Sequence, residues 1–170
     1  MDEDAPKSRR QFLKVFSTGV GITIGMIVGV PFVDAVVAPS LRTKKSHFAR
    51  LAPLDKLPVG NPVDRTIADR TTDAFIQETV LHDVWVVKHS ASKVDVFSPI
   101  CPHLGCRYEW HGDEDHFVCP CHGSVFEKTG EVVSGPAPRG LDTLPIRIEK
   151  GEIYVEWERF KVGIPKKVRV

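Results

Sequence analysis

The feature that most constrains this chain is the position of its four cysteines, which all lie in two short segments. The segments read Cys101-Pro-His103-Leu-Gly-Cys106 and Cys119-Pro-Cys121-His122-Gly-Ser124. Each contains a mixed pair of one cysteine and one histidine, spaced C-x-H in the first and C-x-x-H in the second, and 15 residues separate the two pairs. Thiolate and imidazole groups are ligands of transition metals. The sequence therefore predicts a metal site built from two loops, with one further cysteine beside each pair.

Two other uses of these residues need to be weighed. A structural zinc site also takes two Cys and two His ligands, but zinc fingers usually pair Cys with Cys and His with His. A zinc site would also leave the further cysteines, Cys106 and Cys121, without a use. The second alternative is a plain disulfide framework of all four cysteines. That framework leaves His103 and His122 unexplained.

The motifs CPHLGC and CPCHGS resemble those of the Rieske iron–sulfur proteins of quinol-oxidising cytochrome bc-type complexes. In a Rieske [2Fe–2S] centre, two histidines replace two cysteines on one of the two irons. The resemblance implies that the buried iron is bound by Cys101 and Cys119, that the outer iron is bound by His103 and His122, and that Cys106 and Cys121 form a disulfide. A disulfide persists in an oxidising compartment, so we expect the domain to lie outside the cytoplasm.

The same resemblance implies roles for several neighbouring residues. Leu104 would be an apolar contact at the face that docks at the quinol site, and Ser124 would bond a bridging sulfide through its hydroxyl. Gly105 and Gly123 would permit tight turns close to the sulfurs. Pro136 belongs to the segment Gly135-Pro-Ala-Pro138, which resembles the proline loop that covers the cluster. The fixed φ of proline would stiffen this cover and limit access of water.

Phe126 departs from the pattern of many ubiquinol-type relatives, which carry a tyrosine here that bonds a cysteine sulfur. Phenylalanine has no hydroxyl to donate. Losing a hydrogen-bond donor to the sulfurs makes the reduced, more negative cluster less stable and lowers its potential. We therefore expect a low-potential quinol such as menaquinol. The alternative is that Phe126 is simply a core residue.

The chain from residue 53 to residue 170 predicts an all-β domain. Runs rich in β-branched and aromatic residues at 84–87 and 94–97 are typical of strands. Apolar and polar residues alternate through 146–157 on both sides of a Lys-Gly pair, as in a hairpin with one buried face. The Rieske resemblance implies an antiparallel sandwich with a cluster-binding subdomain inserted at about 98–138.

An uncharged stretch of 19 residues, Val15–Val33, predicts one transmembrane helix within an anchor at 15–38. At 1.5 Å per residue the stretch spans roughly 28 Å, about the thickness of the hydrocarbon core. Gly21, Gly25 and Gly29 recur every four residues and share one face, as in small-xxx-small contacts between membrane helices. We expect this face to pack against a partner's helix; the alternative is that the glycines merely make the helix thin.

Residues 1–14 precede the anchor and contain Ser8-Arg-Arg-Gln-Phe-Leu-Lys14, which resembles a twin-arginine export signal. The alternative is a cationic flank that stops transfer. An Fe–S cluster would be assembled in the cytoplasm, so the domain has to cross the membrane folded, as this export route allows. We expect a single-pass protein of the cell membrane with its N-terminus in the cytoplasm and its head outside. Retention of the anchor is favoured over cleavage near 36–38.

Residues 39–52 are polar and basic, and they predict a linker between anchor and head. Fully extended, this segment would reach roughly 45 Å. In related complexes a tether here lets the head move between the quinol site and the cytochrome; a short fixed connection is the alternative. The basic residues would also contact anionic membrane lipid.

The formal net charge of +1 gives no electrostatic support for a nucleic-acid partner. The resemblance implies a subunit of a quinol:cytochrome c oxidoreductase that oxidises a quinol by proton-coupled one-electron transfer and passes the electron to a c-type cytochrome. His103 and His122 would carry the proton transfer, and a cytochrome b-type membrane subunit would be the partner. Alternatives are the Rieske subunit of an arsenite-oxidase-type molybdoenzyme and a soluble Rieske ferredoxin, which would lack the disulfide and the membrane segment.

Overall fold

The computed structural model of the protein describes residues 8–41, 47–73 and 76–170, without the side chains of 38–41 and 71–76. The chain forms two units, one up to residue 45 and one from residue 46 onward. The described part of the first unit is a single helix. The second unit, called the head below, is built almost entirely from strands.

Helix α1 spans Arg9–Leu41 and is long and apolar enough to cross a membrane. It begins with a reciprocal cap, because the Gln11 N–H donates to the Ser8 hydroxyl at 3.4 Å and the Ser8 N–H donates to the Gln11 side-chain oxygen at 3.3 Å. The hydroxyls of Ser17, Thr18 and Thr23 donate to main-chain carbonyls one turn earlier. These bonds satisfy the polar groups that an apolar surrounding would otherwise penalise.

The described part of the head contains ten strands and one short 3₁₀ turn at Leu54–Lys56. In chain order the strands are β1 (Phe48–Pro53), β2 (Val63–Asp73), β3 (Ile76–Lys88), β4 (Val94–Phe97), β5 (Glu109–His111), β6 (His116–Cys119), β7 (Ser124–Phe126), β8 (Val132–Ser134), β9 (Ile146–Glu149) and β10 (Glu152–Glu156). All paired strands are antiparallel. The predicted all-β class, with one apolar N-terminal helix, is confirmed.

Two three-stranded sheets, in the orders β1-β10-β9 and β2-β3-β4, form the base of the head. Alternate residues of their strands meet in one apolar core, which also takes in two residues from connecting segments, Leu57 and Leu144. The strand residues of this core are Ala49, Ile67, Val84, Val86, Val94, Val96, Ile153 and Val155. Burial of such side chains stabilises a fold by about 1.5–3 kcal/mol for each large one. The strand predicted at 94–97 and the hairpin predicted within 146–157 are both present, as β4 and as the pair β9–β10.

The prediction of a linker at 39–52 is wrong at its C-terminal end, because residues 48–52 form most of β1. Ala49 is buried in the base core, and Arg50, which made the segment look like a basic linker, forms a two-point ion pair with Glu152 of β10. Pairing across a sheet thus neutralises a charge that the sequence alone shows as unpaired. Residues 39–41 end α1, and 42–46 lie outside the described residues.

A third sheet, in the order β5-β6-β7-β8, lies within the residues assigned to the cluster subdomain. It has a core of its own, formed by Val87, Phe97, Cys101, Tyr108, Phe117, Cys119, Phe126, Ala137 and Leu141. Phe117 is fully buried, and the rings of Trp85, Phe97, Tyr108 and Trp110 meet it at centroid distances of 4.9–6.3 Å. Edge-to-face contacts of this kind add to the burial energy and fix the sheet against the base. Cys101 and Cys119 are therefore part of a rigid, aromatic core.

Candidate metal centre

The predicted metal ligands lie in two loops and at the end of one strand. The first loop, residues 98–108 between β4 and β5, carries Cys101 and His103. The second loop, residues 120–123 between β6 and β7, carries His122, and Cys119 is the last residue of β6 before it. Each loop closes in the same way. The Gly105 N–H donates to the Cys101 carbonyl at 3.0 Å, and the Gly123 N–H donates to the Cys119 carbonyl at 3.0 Å. Both glycines have positive φ angles, 85° and 68°, a conformation that other residues adopt only with strain.

The predicted disulfide is present and joins the two loops through Cys106 and Cys121. The first loop is further closed by a hydrogen bond of 2.7 Å from the Cys101 N–H to the Cys106 carbonyl. The other two cysteines are free. The structure thus divides the four cysteines into one bonded pair and one free pair.

The free thiols of Cys101 and Cys119 are almost completely buried and lie in hydrogen-bonding contact. Burial raises the pKa of the Cys101 thiol to about 11, and Cys119 adds to the rise. Hydrogen bonds from the His103 main chain and the Ser124 hydroxyl act in the opposite direction and lower this pKa. A bound cation reverses such a balance because it binds the thiolate. The pair is therefore chemically suited to a buried metal ion.

The imidazoles of His103 and His122 form a second pair on the more exposed side. Their ring centroids are 4.8 Å apart and the planes are nearly perpendicular, at 87°. His103 is half-buried and His122 is exposed. Within the described residues, no group of three or more His, Cys, Asp or Glu side chains converges on one point. Two thiols on one side and two imidazoles on the other fit a two-iron cluster, which takes two protein ligands on each iron, better than one zinc ion with four.

The proline loop, residues 135–138, packs directly on the second loop. Gly135 has a φ of 94°, and a Cβ at this position would lie only 2.5 Å from the Ser124 Cα and 2.7 Å from the Gly123 carbonyl oxygen. The Ala137 N–H donates to the fully buried Ser124 hydroxyl at 3.2 Å. The hydroxyl thus accepts from the proline loop while its own proton is directed to Cys101. Pro136 itself is exposed.

Two apolar residues at the site differ in exposure. Leu104, next to His103, has 61 % of its side-chain surface exposed, so the rim beside the imidazoles is apolar. Phe126 is fully buried, with its ring 6.0 Å from that of Tyr108. The burial of Phe126 agrees with the alternative that it is simply a core residue. Whichever explanation applies, position 126 has no hydroxyl that could donate to a sulfur.

No motif in the sequence points to Tyr108, although it is among the most buried side chains of the site. Its hydroxyl donates to the Ser98 carbonyl at 2.6 Å, and this bond ties the two ends of the first loop together. Burial raises the pKa of Tyr108 well above its ordinary value, with the nearby Asp142 carboxylate as a further cause. In the sequence Tyr108 is an aromatic residue two positions after Cys106. Ordinary core residues give the same pattern, so its role could not be predicted.

The chain also resembles known proteins over most of its length. The Rieske [2Fe-2S] domain family matches residues 48–145. The cytochrome b6-f complex iron-sulfur subunit of Chlorobaculum tepidum is 33 % identical, over 86 % of this chain and 74 % of the relative. The menaquinol:cytochrome c reductase iron-sulfur subunit of Bacillus subtilis is 32 % identical, over 87 % of this chain and 90 % of the relative. The solved plasma membrane Rieske protein of Synechocystis is 31 % identical and covers 54 % of this chain and 86 % of its own, with a TM-score of 0.41. This chain belongs to the Rieske [2Fe–2S] domain family, and its cofactor is a [2Fe–2S] cluster.

Proposed function

We propose that this chain is the membrane-anchored electron-transfer subunit of a quinol:cytochrome c oxidoreductase. The observation that carries the proposal is the arrangement of the site: two thiols are buried, while His103, His122 and Leu104 form an accessible rim. Relatives named as iron–sulfur subunits of cytochrome b6-f and menaquinol:cytochrome c reductase complexes support it. The expected partners are a cytochrome b-type membrane subunit and a c-type cytochrome.

Each side chain of the accessible rim has a proposed role in quinol oxidation. The bound cluster supplies a one-electron acceptor. A ring nitrogen of His122 or His103 would accept a hydrogen bond from one quinol hydroxyl and then its proton, while one electron enters this chain. The second electron would go to the cytochrome b-type subunit, and the second proton to that subunit or to solvent. Leu104 would contact the apolar surroundings of the quinol site. The buried Cys101 and Cys119 would hold the cluster on the side away from water.

The pH dependence of the midpoint potential tests the coupling of proton and electron. If the reduced form holds one more proton than the oxidised form, the potential falls by about 59 mV for each pH unit in the range where a histidine titrates. We expect this fall between neutral and alkaline pH in the full chain. A potential that stays constant across that range would contradict the role given to His103 and His122.

The proposed substrate class, a low-potential quinol such as menaquinol, depends on the absence of a donor at Phe126. Phe126→Tyr should raise the midpoint potential, because a hydroxyl directed at a ligand sulfur stabilises the reduced cluster. Phe126→Leu is the matched control, since it changes the packing of the same buried position without adding a donor. Equal shifts in the two variants would show that packing, and not hydrogen bonding, sets the effect.

We also propose that the segment from Ser8 to Lys14 is a twin-arginine export signal, and that the N-terminus lies in the cytoplasm and the head outside. The two arginines stand in the first turn of α1. Arg9→Lys together with Arg10→Lys keeps the charge and removes the dipeptide, so it separates an export signal from a cationic flank. We expect the variant to remain in the cytoplasmic fraction. Normal export of the variant would favour the flank. Lys7→Gln is the control, because it removes a positive charge outside the segment from Ser8 to Lys14.

The glycine face of α1 is the proposed contact with the membrane partner. A Cβ built at Gly21, Gly25 or Gly29 meets nothing within 4 Å in the structure, so a larger residue causes no clash within this chain. Gly25→Leu should therefore weaken co-purification of the cytochrome b-type subunit only if a partner packs there. Val28→Leu, on an exposed position of the same helix, is the control. Co-purifying haem b would at the same time exclude an arsenite-oxidase-type assembly.

A further inference from the structure

The last 13 residues, 158–170, fold back toward the metal centre, although they lie beyond the residues that the family matches. We call this segment the tail. It forms a narrow hairpin, in which the Lys161 N–H donates to the Val168 carbonyl at 2.8 Å and the Val170 N–H donates to the Arg159 carbonyl at 2.9 Å. Contacts with the first loop and with Arg139 hold this hairpin in place.

The turn of the tail touches the first loop at the residue before the histidine ligand. The Gly163 N–H donates to the Pro102 carbonyl at 2.8 Å. Gly163 has a φ of 74°, and a Cβ there would lie 3.5 Å from the His103 carbonyl oxygen. The tail thus hydrogen-bonds to the carbonyl of the peptide bond that joins Pro102 to His103 and lies beside the His103 carbonyl.

Arg139, the residue that follows the proline loop, holds this turn. Its side chain is 9 % exposed, and two of its nitrogens donate to the carboxylate of Asp142 at 2.7 and 3.0 Å. Two further bonds go to main-chain carbonyls of the tail, Ile164 at 2.6 Å and Lys161 at 2.9 Å. These carbonyls flank Gly163. Charge-assisted bonds from a rigid guanidinium are among the strongest in proteins.

We propose that Arg139 is a positioning residue, and that through the tail it fixes the first loop and the orientation of His103. The guanidinium joins the proline loop to the tail, and the tail joins the first loop through Gly163 and Pro102. Asp142 completes the connection because its main-chain carbonyl accepts a bond of 2.9 Å from the Ser98 N–H at the start of the first loop. One buried ion pair therefore connects the proline loop with the loop that carries His103.

The test removes the pair without leaving a buried charge. Loss of Arg139 alone would strand the Asp142 carboxylate, which is 4 % exposed, and such a change is strongly destabilising. The variant is therefore Arg139→Met together with Asp142→Leu. The matched control is Arg50→Met together with Glu152→Leu, because Arg50 and Glu152 also form a two-point ion pair but in the sheet of β1 and β10. Both variants are made in the full chain, in detergent, with its cluster.

Amide hydrogen exchange of the two loops is the main measurement. We expect exchange to accelerate by about tenfold or more in the tail and at the amides of residues 103–105 when these charge-assisted bonds are lost, and to stay unchanged in the second loop. The control should alter neither loop. The electron spin resonance line of the cluster should broaden in the Arg139 variant alone, because His103 then takes more than one orientation.

Faster exchange in the tail with unchanged exchange at 103–105 would overturn the proposal, and so would an equal response of the control. If the double variant does not fold, Gly163→Ala is the second variant to be measured. It leaves Arg139 and Asp142 in place but strains the turn, since φ is 74°. The proposal predicts the same pattern of exchange for this variant. None of these measurements depends on the quinol chemistry, so they can fail while the proposed function stands.

Discussion

Replacing Ser124 with alanine removes one hydroxyl that serves both the fold and the metal centre. The hydroxyl is fully buried, accepts the Ala137 N–H of the proline loop at 3.2 Å and donates toward the Cys101 sulfur. Ser124→Ala leaves the Ala137 N–H buried without this acceptor and takes a donor away from the thiolate. Two separate effects, on stability and on potential, follow from the one change.

The size of each effect can be worked from these contacts. A buried amide that loses its acceptor costs about 1–3 kcal/mol, to which the small cavity left by one oxygen adds little. Hydrogen bonds to the ligand sulfurs stabilise the negative, reduced cluster, so loss of the Ser124 donor to Cys101 should disfavour that form. We therefore expect a free energy of unfolding lower by about 1–3 kcal/mol and a lower midpoint potential.

Denaturant unfolding and a redox titration of the full chain measure the two effects. Ser98→Ala is the control, because Ser98 is also buried but its hydroxyl accepts only a long bond of 3.4 Å, from the Ile100 N–H. It should cost less stability and leave the potential unchanged. If Ser124→Ala left the potential unchanged, or shifted it by the same amount as the control, the argument that this hydroxyl donates to the sulfur would be refuted.

Three further predictions concern the head. Replacing both Cys106 and Cys121 with alanine should lower the free energy of unfolding by about 3 kcal/mol, the value for a loop of this length, since 15 positions separate the cysteines; reductant should then affect only the parent protein in urea unfolding. Gly135→Ala should cost more stability than Gly60→Ala, because φ is positive at both sites but only at Gly135 would the added Cβ clash, at 2.5 Å from the Ser124 Cα; equal losses in thermal unfolding would contradict this packing. Hydrogen bonds from a threonine hydroxyl and an arginine lower the pKa of Asp83, so its contribution to stability is present above about pH 4 and is lost as the pH falls through the lowered folded-state pKa. Asp83→Asn should therefore reduce the fall in the free energy of unfolding between pH 5 and pH 2, measured from unfolding curves. An equal fall in variant and parent would show that Asp83 does not cause the loss of stability in acid.

The sequence carried enough information for the metal centre because that site is built from local motifs. Each Cys–His pair lies within four residues, so the spacing alone brings Cys101 near His103 and Cys119 near His122. Short alternating strands such as β4 were also predictable, because one buried face gives a clear period of two.

Long-range contacts explain what the sequence did not show. β1 was taken for a linker because the partner of Arg50 lies 102 positions away, in β10. Lys88 was not expected inside, yet it is 8 % exposed and its ammonium donates to the Leu54 carbonyl at 2.8 Å. The tail, with its many basic residues, gave no sign that main-chain bonds would fix it to the first loop. In all three cases a distant partner satisfies a charge or a main-chain group that looks free in the sequence.

We propose that Cys101 and Cys119 bind one iron of the cluster and that His103 and His122 bind the other. The iron and acid-labile sulfide content of the matured full chain, combined with its electron spin resonance spectrum, tests this assignment. We expect two irons and two sulfides in each chain and a spectrum of the Rieske type that is lost in His122→Ala. Zinc in place of iron, or iron without acid-labile sulfide, would contradict it.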